Sequence, residues 1–381
     1  MSKYVIREFY PVEHGAFYSE KLFDIFRIIY DCGSSSNLSY LTTCINKYVK
    51  KDEEIDALFI SHLHKDHISG LPELLKRAKV KSIILPYMDD SEKKFQVFID
   101  KLSRDMNNEE NTNDSTQIQI DALNVIDIIN EFSDETNIIE VQSEIINEDT
   151  HIDNLSEQNT PISSGSMIKF TAKSFSWVFK PYSYKNTSYM SKLEAELKMQ
   201  GIDISKLHDA NYYSTNIKKL VKCYENALGS KKRFNIHSMM LLSYAQQSYK
   251  WWCGVYSDDI QLHGRMDDST GCLYCGDADL NKKETIKIVK QITQTANIGL
   301  IQIPHHGAVD NYNENIIVDI FKHSKHARGK AIISAGVNSG QKKHPYRDVM
   351  AHLLANLITT YIVDRKEICF KYTHYDNAKN P

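Results

Sequence analysis

The sequence has 381 residues, of which 41% are hydrophobic and 25% are charged, and its net charge is −3. This composition predicts a sizeable buried core, and it excludes a disordered chain, a collagen-like repeat and a coiled coil. No apolar run approaches the roughly 18 residues of a membrane span, so no membrane association is expected. Seven scattered cysteines, with no basic-then-apolar leader before them, predict a cytoplasmic protein rather than a secreted disulfide framework.

Charge is distributed unevenly along the chain. Residues 105–168 contain 15 acidic residues and no lysine or arginine, which leaves a net charge of +12 on the remainder. A globular body with this excess attracts polyanions, so nucleic acid is the expected partner. The acidic stretch offers a docking site for a protein partner. For each basic cluster taken singly, the alternative is the solvated face of an ordinary helix.

The order of predicted elements indicates an α/β domain. In chain order, we predict strands at 4–10 and 26–33 around a VEHGAF loop, a helix over 38–51, a strand at 57–61, a helix over 71–79, and a strand at 81–86. The pattern weakens between about 89 and 166, which we interpret as an acidic insertion. Beyond it we predict strands within 166–182, 237–245, 250–257, 271–279, 298–307, 330–336 and 359–364, with helices over 191–204, 216–229, 280–294 and 346–357. A single layered domain over 1–381, with a second, helical insertion at about 188–228, is the prediction.

The strongest chemical signal is His62-Leu63-His64-Lys65-Asp66-His67, which follows a predicted strand and precedes Ser69-Gly70. Imidazole and carboxylate groups suit borderline divalent ions such as Zn²⁺. Residues i and i+2 of an extended segment point the same way, so His62 and His64 can bind one ion. Asp66 and His67 are directed towards a second ion as the chain turns into a helix. Two such ions can hold a bridging hydroxide, and a chance histidine-rich loop is the alternative.

The HLHKDH sequence matches the HxHxDH signature of the metallo-β-lactamase-fold hydrolases, and later segments resemble that family in order. The resemblance implies an αββα sandwich of two mixed sheets flanked by helices, with a dinuclear metal site at the sheet edge. Asp31 in YDCG resembles the acid that orients the metal loop. Asp277 in CLYCGDADL resembles the bridging carboxylate, and His305-His306-Gly307 resembles the late histidine ligand. Which of the two adjacent histidines is the ligand stays open.

Within that family the chain is similar to the metallo-hydrolase domain of ComEC-type DNA-uptake proteins. The similarity rests on IPHHG, on a following AGVNSGQKKHPYRDV segment, on VEHGAF at a VGQGDA-like turn, and on NIHSMMLL at an N-x-S strand. This branch implies metal-dependent phosphodiester cleavage, with DNA as the substrate. The family's middle histidine has no clear counterpart, His237 and His263 being the nearest candidates. One metal site is therefore expected to be more open.

Two further sets of residues complete the predicted site. His344, before Pro345, is a candidate proton donor to the leaving group, and the alternative is a loop histidine without a role. The expected phosphate contacts are Lys342, Lys343, Arg347 and Asn338. Cys272 and Cys275 form a lone CxxC on a predicted strand. Because positions i and i+3 of a strand face opposite sides, we predict core cysteines rather than a zinc site.

We therefore hypothesise a cytoplasmic, dinuclear metallo-hydrolase, a nuclease or other phosphodiesterase that cleaves DNA or RNA. The predicted cofactor is a pair of divalent ions, Zn²⁺ first and Mn²⁺ as the alternative. Their predicted ligands are His62, His64, Asp66, His67, Asp277, His305 and His306. Asp66 and His344 are the predicted catalytic residues, and Asp31 is the orienting acid. One alternative is a metallo-hydrolase of a small ester, lactone or phosphoester. The other is a non-catalytic, metal-bound partner of another protein.

Overall fold

The structure is a computed structural model, and it describes the following residues: 4–35, 38–106, 120–145, 151–158, 161–172, 175–229, 234–247, 251–257, 260–267, 269–322, 329–336, 344–364 and 370–376. No helix in these ranges combines the length and the apolar character that crossing a bilayer requires.

Strands account for much of the described chain. In chain order they are β1 (Tyr4–Phe9), β2 (Gly15–Leu22), β3 (Phe26–Ser34), β4 (Glu54–Ile55), β5 (Ala57–Phe59), β6 (Lys79–Val80), β7 (Ser82–Pro86), β8 (Asn137–Ile145), β9 (His151–Ile152), β10 (Ile162–Ser164), β11 (Met167–Ala172), β12 (Phe175–Lys185), β13 (His237–Ala245), β14 (Trp251–Ser257), β15 (Ile260–Asp267), β16 (Gly271–Tyr274), β17 (Ile298–Gln302), β18 (Lys330–Ser334), β19 (Thr359–Val363) and β20 (Phe370–Asp376).

The helices lie between these strands. In chain order they are α1 (Leu38–Tyr48), α2 (Lys65–Ile68), α3 (Leu71–Arg77), α4 (Asp90–Met106), α5 (Val125–Phe132), α6 (Thr187–Met199), α7 (Ala210–Leu228), α8 (Lys283–Thr295), α9 (Glu314–Phe321) and α10 (Arg347–Ala355).

Two large mixed sheets carry the fold. Among the described strands, one sheet has the order β10-β8-β7-β5-β3-β2-β1-β20-β14-β15, and the other has the order β19-β18-β17-β16-β13-β12-β11-β9. In the first sheet β3, β5 and β7 are parallel. In the second sheet β16, β17, β18 and β19 are parallel. Within each of these parallel runs, the carboxyl ends of the strands lie at one edge, so the loops that follow β16, β17 and β18 are neighbours.

Buried side chains form layers on both faces of each sheet. One cluster lies between the sheets and contains Phe9, Tyr18 and Tyr274. A second joins the outer face of the β16–β19 sheet to α8, α9 and α10. A third joins the outer face of the other sheet to α1, α3 and α5. This arrangement confirms the predicted αββα sandwich of two mixed sheets flanked by helices.

The core between the sheets contains one buried ion pair. Nε of Arg7 donates to Oε2 of Glu20 at 3.0 Å, and both side chains are fully buried. Glu20 also accepts hydrogen bonds from the hydroxyl groups of Ser243, at 2.6 Å, and Tyr274, at 3.1 Å. The Arg7 guanidinium lies 5.3 Å from the ring centroid of Trp177. These partners offset the desolvation of the two charges and connect both sheets.

Several elements differ from the sequence prediction. GAF in the predicted VEHGAF loop begins strand β2, which pairs with β1 and β3. The segment with a weak pattern contains α4, a helix of 17 residues. Its apolar spacing is interrupted because Glu92 and Gln96 are buried on its inner face. Strands β15 and β20 lie outside the predicted elements. Strand β15 pairs with β14, and β20 pairs with β1 and β14, which lie far from it in the sequence.

The helices α4, α6 and α7 share a separate apolar cluster, which contains Phe98, Leu193 and Leu220. The N-cap of α7 is Asp209, whose side chain accepts a hydrogen bond from the Tyr212 N–H. The helix ends at Gly229, which has a φ of 76°. The predicted helical insertion therefore packs on α4, which in turn reaches the histidine motif.

Candidate metal centre

The histidine motif lies in the loop after β5. Ser61 and His62 follow this strand after Ile60, and the helix α2 begins at Lys65 with His64 as its N-cap. His62 and His67 are each only 1% exposed. The short spacing thus places three imidazoles and one carboxylate, that of Asp66, at one end of the sandwich.

Loops from the second sheet complete the cluster. Asp277 follows β16 after the tight turn at Gly276, and His305 and His306 follow β17. Both histidines have left-handed backbone conformations, with φ values of 47° and 55°. Because β16 and β17 are parallel neighbours, their following loops arrive at the same edge.

Three overlapping groups of side chains have ligand atoms that lie within 4.8 Å of one another. They are His62, His64 and Asp66; His62, His67 and Asp277; and Asp66, His67 and His306. Each pair of groups shares one member, which is His62, Asp66 or His67. Within the groups, Nε2 of His67 lies 3.2 Å from Oδ1 of Asp277, and Nε2 of His306 lies 3.4 Å from Oδ2 of Asp66.

The donor atoms fit divalent metal ions. Nε2 of His62, Nε2 of His67 and Oδ1 of Asp277 are buried, and none of them has a hydrogen bond of good geometry within the described residues. Buried polar atoms without such partners are costly unless a ligand satisfies them. Imidazole nitrogen and carboxylate oxygen are ligands that Zn²⁺ binds readily. The cluster therefore has both the chemistry and the unmet coordination of a metal site.

The opposite ring nitrogens are held by the protein. Nδ1 of His67 lies 2.7 Å from Oδ2 of Asp31, and Nδ1 of His306 lies 2.8 Å from the carbonyl oxygen of Ser334. Asp31 also accepts hydrogen bonds from the backbone N–H and hydroxyl of Ser61, at 2.6 and 2.7 Å. Acceptors of this kind fix the tautomer and orientation of histidines that ligate metals.

The electrostatics of the cluster favour a positive charge. Burial disfavours the charged form of His67, but Asp277 and Asp31 outweigh burial and raise the pKa of His67 well above its ordinary value. Burial and the neighbouring His67 lower the pKa of His62 well below its ordinary value. Burial alone would raise the pKa of Asp277, but His305 and His67 lower it well below its usual range. The Asp277 carboxylate is thus favoured in its charged form, and a cation can replace the proton on His67 that balances it.

The close packing of the loops depends on glycine. A Cβ at Gly33 would lie 2.5 Å from the backbone nitrogen and carbonyl carbon of His67. A Cβ at Gly276, whose φ is 53°, would lie 2.7 Å from Cβ of Ser61. Larger residues at these positions would displace the histidine motif or the loop of Asp277.

The structure brings together six of the seven predicted metal ligands in groups of three: His62, His64, Asp66, His67, Asp277 and His306. His305 is more peripheral, because its side chain is 34% exposed and its Nε2 lies 3.9 Å from Oδ2 of Asp277. Its Nδ1 lies 2.9 Å from Oδ1 of Asn311. Of the two adjacent histidines that the sequence left open, the geometry favours His306. The predicted orienting acid, Asp31, is fully buried behind His67.

The remaining predicted residues follow β18 in the sequence. The ring of His344 is 5.9 Å from that of His305 and 6.3 Å from that of His14, measured between centroids. Arg347 is exposed at the first position of α10. Three predicted phosphate contacts, Asn338, Lys342 and Lys343, lie outside the described residues.

The two candidates for a middle histidine have different outcomes. His237 is buried, and its Nε2 lies 3.2 Å from Oε2 of Glu92, a residue of α4 that also forms an ion pair with Lys185. It belongs to none of the three ligand groups in the described chain. The side chain of His263 lies outside the described residues.

Sequence reasoning missed two groups of residues that touch the site. Oδ1 of Asp100 lies 2.9 Å from Nε2 of His64, and the amide of Gln96 lies next to both. The side-chain oxygen of Gln302 accepts hydrogen bonds from the N–H groups of Cys275 and Gly276, each at 2.8 Å, and holds the turn before Asp277. No local motif surrounds these residues. Only the i, i+4 spacing of Gln96 and Asp100 indicates a shared helix face.

Comparison with known proteins identifies the segment that carries the motif. The model of the family described as "Metallo-beta-lactamase superfamily" matches residues 26–101, which include Asp31, the histidine motif and Asp100. The segment of this chain that contains the histidine motif is therefore similar to the metallo-beta-lactamase superfamily. Members of the superfamily are metal-dependent hydrolases.

Part of this chain is also similar to proteins named ribonuclease BN. Ribonuclease BN of Escherichia coli (strain SE11) and ribonuclease BN of Shigella boydii serotype 18 are each 40% identical to this chain over 58 residues. The match covers 15% of this chain, and the chain spans only 17% of the length of either relative.

Two solved structures are also similar to this chain. A long form RNase Z from yeast is matched over 87% of this chain and 36% of its own, with a TM-score of 0.35 and 10% identity. A metallo-β-lactamase, MIM-1 from Novosphingobium pentaromativorans, is matched over 79% of this chain and 76% of its own, with a TM-score of 0.28 and 11% identity.

Proposed function

We propose that this protein is a dinuclear metal-dependent phosphodiesterase that cleaves nucleic acid. The observation that carries the proposal is the set of three overlapping ligand groups, which share His62, Asp66 and His67 and contain buried donor atoms without hydrogen bonds of good geometry. A single structural ion would need only one of these groups. The overlap supports two ions that act on one substrate atom.

The proposal assigns each ion its protein ligands. His62 and His64 hold the first ion, and Asp66, His67 and His306 hold the second. Asp277 lies between them, since one of its oxygens is 3.7 Å from Nε2 of His62 and the other is 3.2 Å from Nε2 of His67. Zn²⁺ is the preferred ion for this donor set, and Mn²⁺ is the alternative. When bound, such a pair of ions lowers the pKa of water towards about 7 and stabilises the charge that develops on phosphate oxygens.

The chain's own residues would supply orientation and a proton. Asp31 and the carbonyl of Ser334 hold the rings of His67 and His306, so these ligands need no reorganisation. His344, whose ring lies beside that of His305, is our candidate donor of a proton to the leaving oxygen. Arg347, Lys342, Lys343 and Asn338 remain the proposed contacts to substrate phosphates.

Charge and similarity support nucleic acid as the substrate. The chain outside residues 105–168 has a net charge of +12. The ribonuclease BN relatives are 40% identical to this chain over 58 residues, and the IPHHG and HP segments are similar to the ComEC-type branch. Binding through phosphates releases counterions, so cleavage should weaken steeply as the salt concentration rises.

The test is a cleavage assay with labelled single-stranded DNA, double-stranded DNA and RNA, in Zn²⁺, Mn²⁺ or Mg²⁺. His64→Ala and Asp277→Asn should abolish cleavage, whereas Asp127→Asn, which removes an exposed carboxylate on α5, should leave it unchanged. Activity that survives both site variants would refute the assignment. Turnover of a p-nitrophenyl ester that salt does not affect, without cleavage of any nucleic acid, would favour the small-ester alternative.

A further inference from the structure

The histidines of the metal centre differ in which ring nitrogen the protein holds. For His62, Nδ1 lies 2.9 Å from the hydroxyl oxygen of Ser61, and Nε2 is buried without a hydrogen bond. His67 and His306 likewise have Nδ1 next to an oxygen of the protein. His64 is the reverse case, because its Nε2 lies 2.9 Å from Oδ1 of Asp100. A neutral imidazole has one N–H and one lone pair, so the nitrogen that donates to the protein cannot bind an ion.

Asp100 is itself held in place. The amide nitrogen of Gln96, one turn earlier on α4, donates to Oδ1 of Asp100 at 2.9 Å and lies 3.3 Å from the carbonyl oxygen of Phe234. The amide oxygen of Gln96 accepts the backbone N–H of Ile236 at 2.8 Å. Gln96 is only 2% exposed, so these bonds fix the side chain against the start of β13. Asp100 therefore meets His64 from a supported position.

The contact between His64 and Asp100 differs from a surface ion pair in its burial and in its place beside the ligand groups. The side chains of His64 and Asp100 are only 13% and 23% exposed. His64 also belongs to the ligand group with His62 and Asp66. Asp100 belongs to no group of three in the described chain, so it contacts a candidate ligand without being one of the grouped ligands. That placement is the one a carboxylate occupies when it orients a metal-binding histidine.

We propose that Asp100 is a positioning residue of the first metal site, which accepts the Nε2–H of His64 and thereby directs Nδ1 of His64 to the ion. The inference rests on the metal centre of the proposed function and not on its substrate. In this arrangement α4 fixes His64, a ligand of the first metal site. This is the site for which the sequence has no clear middle histidine. The support of Asp100 then matters more, because His62 and His64 bear most of the binding to that ion.

The first test is zinc titration against a chelating dye, with purified wild-type protein and the Asp100→Ala, Asp100→Asn and Asp90→Asn variants. Asp90 is an exposed carboxylate on the first turn of the same helix and serves as the control. We expect Asp100→Ala to weaken one of two zinc equivalents by about 10- to 100-fold, and Asp100→Asn, which keeps an acceptor, to weaken it less. Unchanged affinity for both equivalents in Asp100→Ala would overturn the proposal.

The second test does not depend on how well the variants fold. Long-range ¹⁵N–¹H spectra of zinc-loaded wild-type protein with ¹⁵N-labelled histidine report which ring nitrogen carries the proton. We expect an Nε2–H tautomer for His64, identified by its loss in His64→Ala, and Nδ1–H tautomers for His62 and His67. A zinc-bound Nε2 of His64 would overturn the inference. Failure of the wild type to bind zinc would overturn both this inference and the proposed function, and zinc binding without nucleic-acid cleavage would contradict only the function.

Discussion

Replacement of Asp31 by asparagine tests how the centre is oriented. Asp31 is fully buried and accepts three hydrogen bonds, two from Ser61 and one from Nδ1 of His67. Asparagine has the same shape and tolerates the left-handed backbone at this position, where φ is 57°. Its amide group would be a donor where the structure has an acceptor. The Nδ1–H of His67 would lose its partner, and the ring would favour the tautomer that cannot bind an ion through Nε2.

The magnitude follows from the bond that is lost. A hydrogen bond to a charged group contributes about 1.5–3 kcal/mol, and about 1.4 kcal/mol corresponds to a tenfold change in affinity. Zinc affinity should therefore fall by about 10- to 100-fold, which is also the range found when such orienting partners are removed. The metal-free protein should lose less free energy of unfolding than of zinc binding. The reason is that burial disfavours the charged carboxylate and raises the pKa of Asp31 despite the opposing effect of His67.

The assay compares zinc affinity by competition with a chelating dye and Tm by thermal denaturation with and without zinc. Asp127→Asn, an exposed carboxylate on α5, is the matched control. We expect Asp31→Asn to keep a Tm close to that of the wild type without metal and to show a smaller increase with zinc. Zinc affinity equal to that of the wild type would refute the role of Asp31, and so would an equal loss in the control.

Four further outcomes are expected. Glu20→Gln leaves the buried Arg7 without its counter-charge and should cost about 3–5 kcal/mol of unfolding free energy in urea denaturation; a loss below about 1 kcal/mol would contradict the role of the pair. Gly33→Ala should lower the zinc content of purified protein, because the added Cβ meets the backbone of His67, and full zinc content would show that the loop can shift. Chelation should lower Tm, since an ion at a thousand times its Kd stabilises the fold by about 4 kcal/mol, and an unchanged Tm would argue against an ordered site. Zinc affinity should rise with pH, because the raised pKa of His67 makes a proton compete with the ion. Calorimetry in buffers of different ionisation enthalpy should detect the release of that proton, and a zinc affinity independent of pH would contradict this account.

Local sequence predicted most of the elements and the centre of the site. The ligands of HLHKDH lie within six residues, so the strand, turn and helix around them are enough to bring their side chains together. The segments that became β16, β17 and β18 have strand patterning, and parallel strands deliver Asp277 and His306 to one edge. The alternation of strand side chains between the two faces of a sheet also predicted where the cysteines lie. As predicted, Cys272 and Cys275 are buried on opposite faces, one in the core between the sheets and one beneath the outer helices.

Only the tertiary structure decided which residues surround those ligands. It distinguishes His306, which is buried beside Asp66 and His67, from His305, which is a third exposed. It also places Asp100, from a segment whose apolar pattern is weak, against His64. Polar side chains on the inner face of α4 account for both observations. They point at the site, and they interrupt the hydrophobic spacing of the helix. Sequence periodicity reports which faces are apolar, whereas the partner of a buried polar group is set by segments distant in the chain.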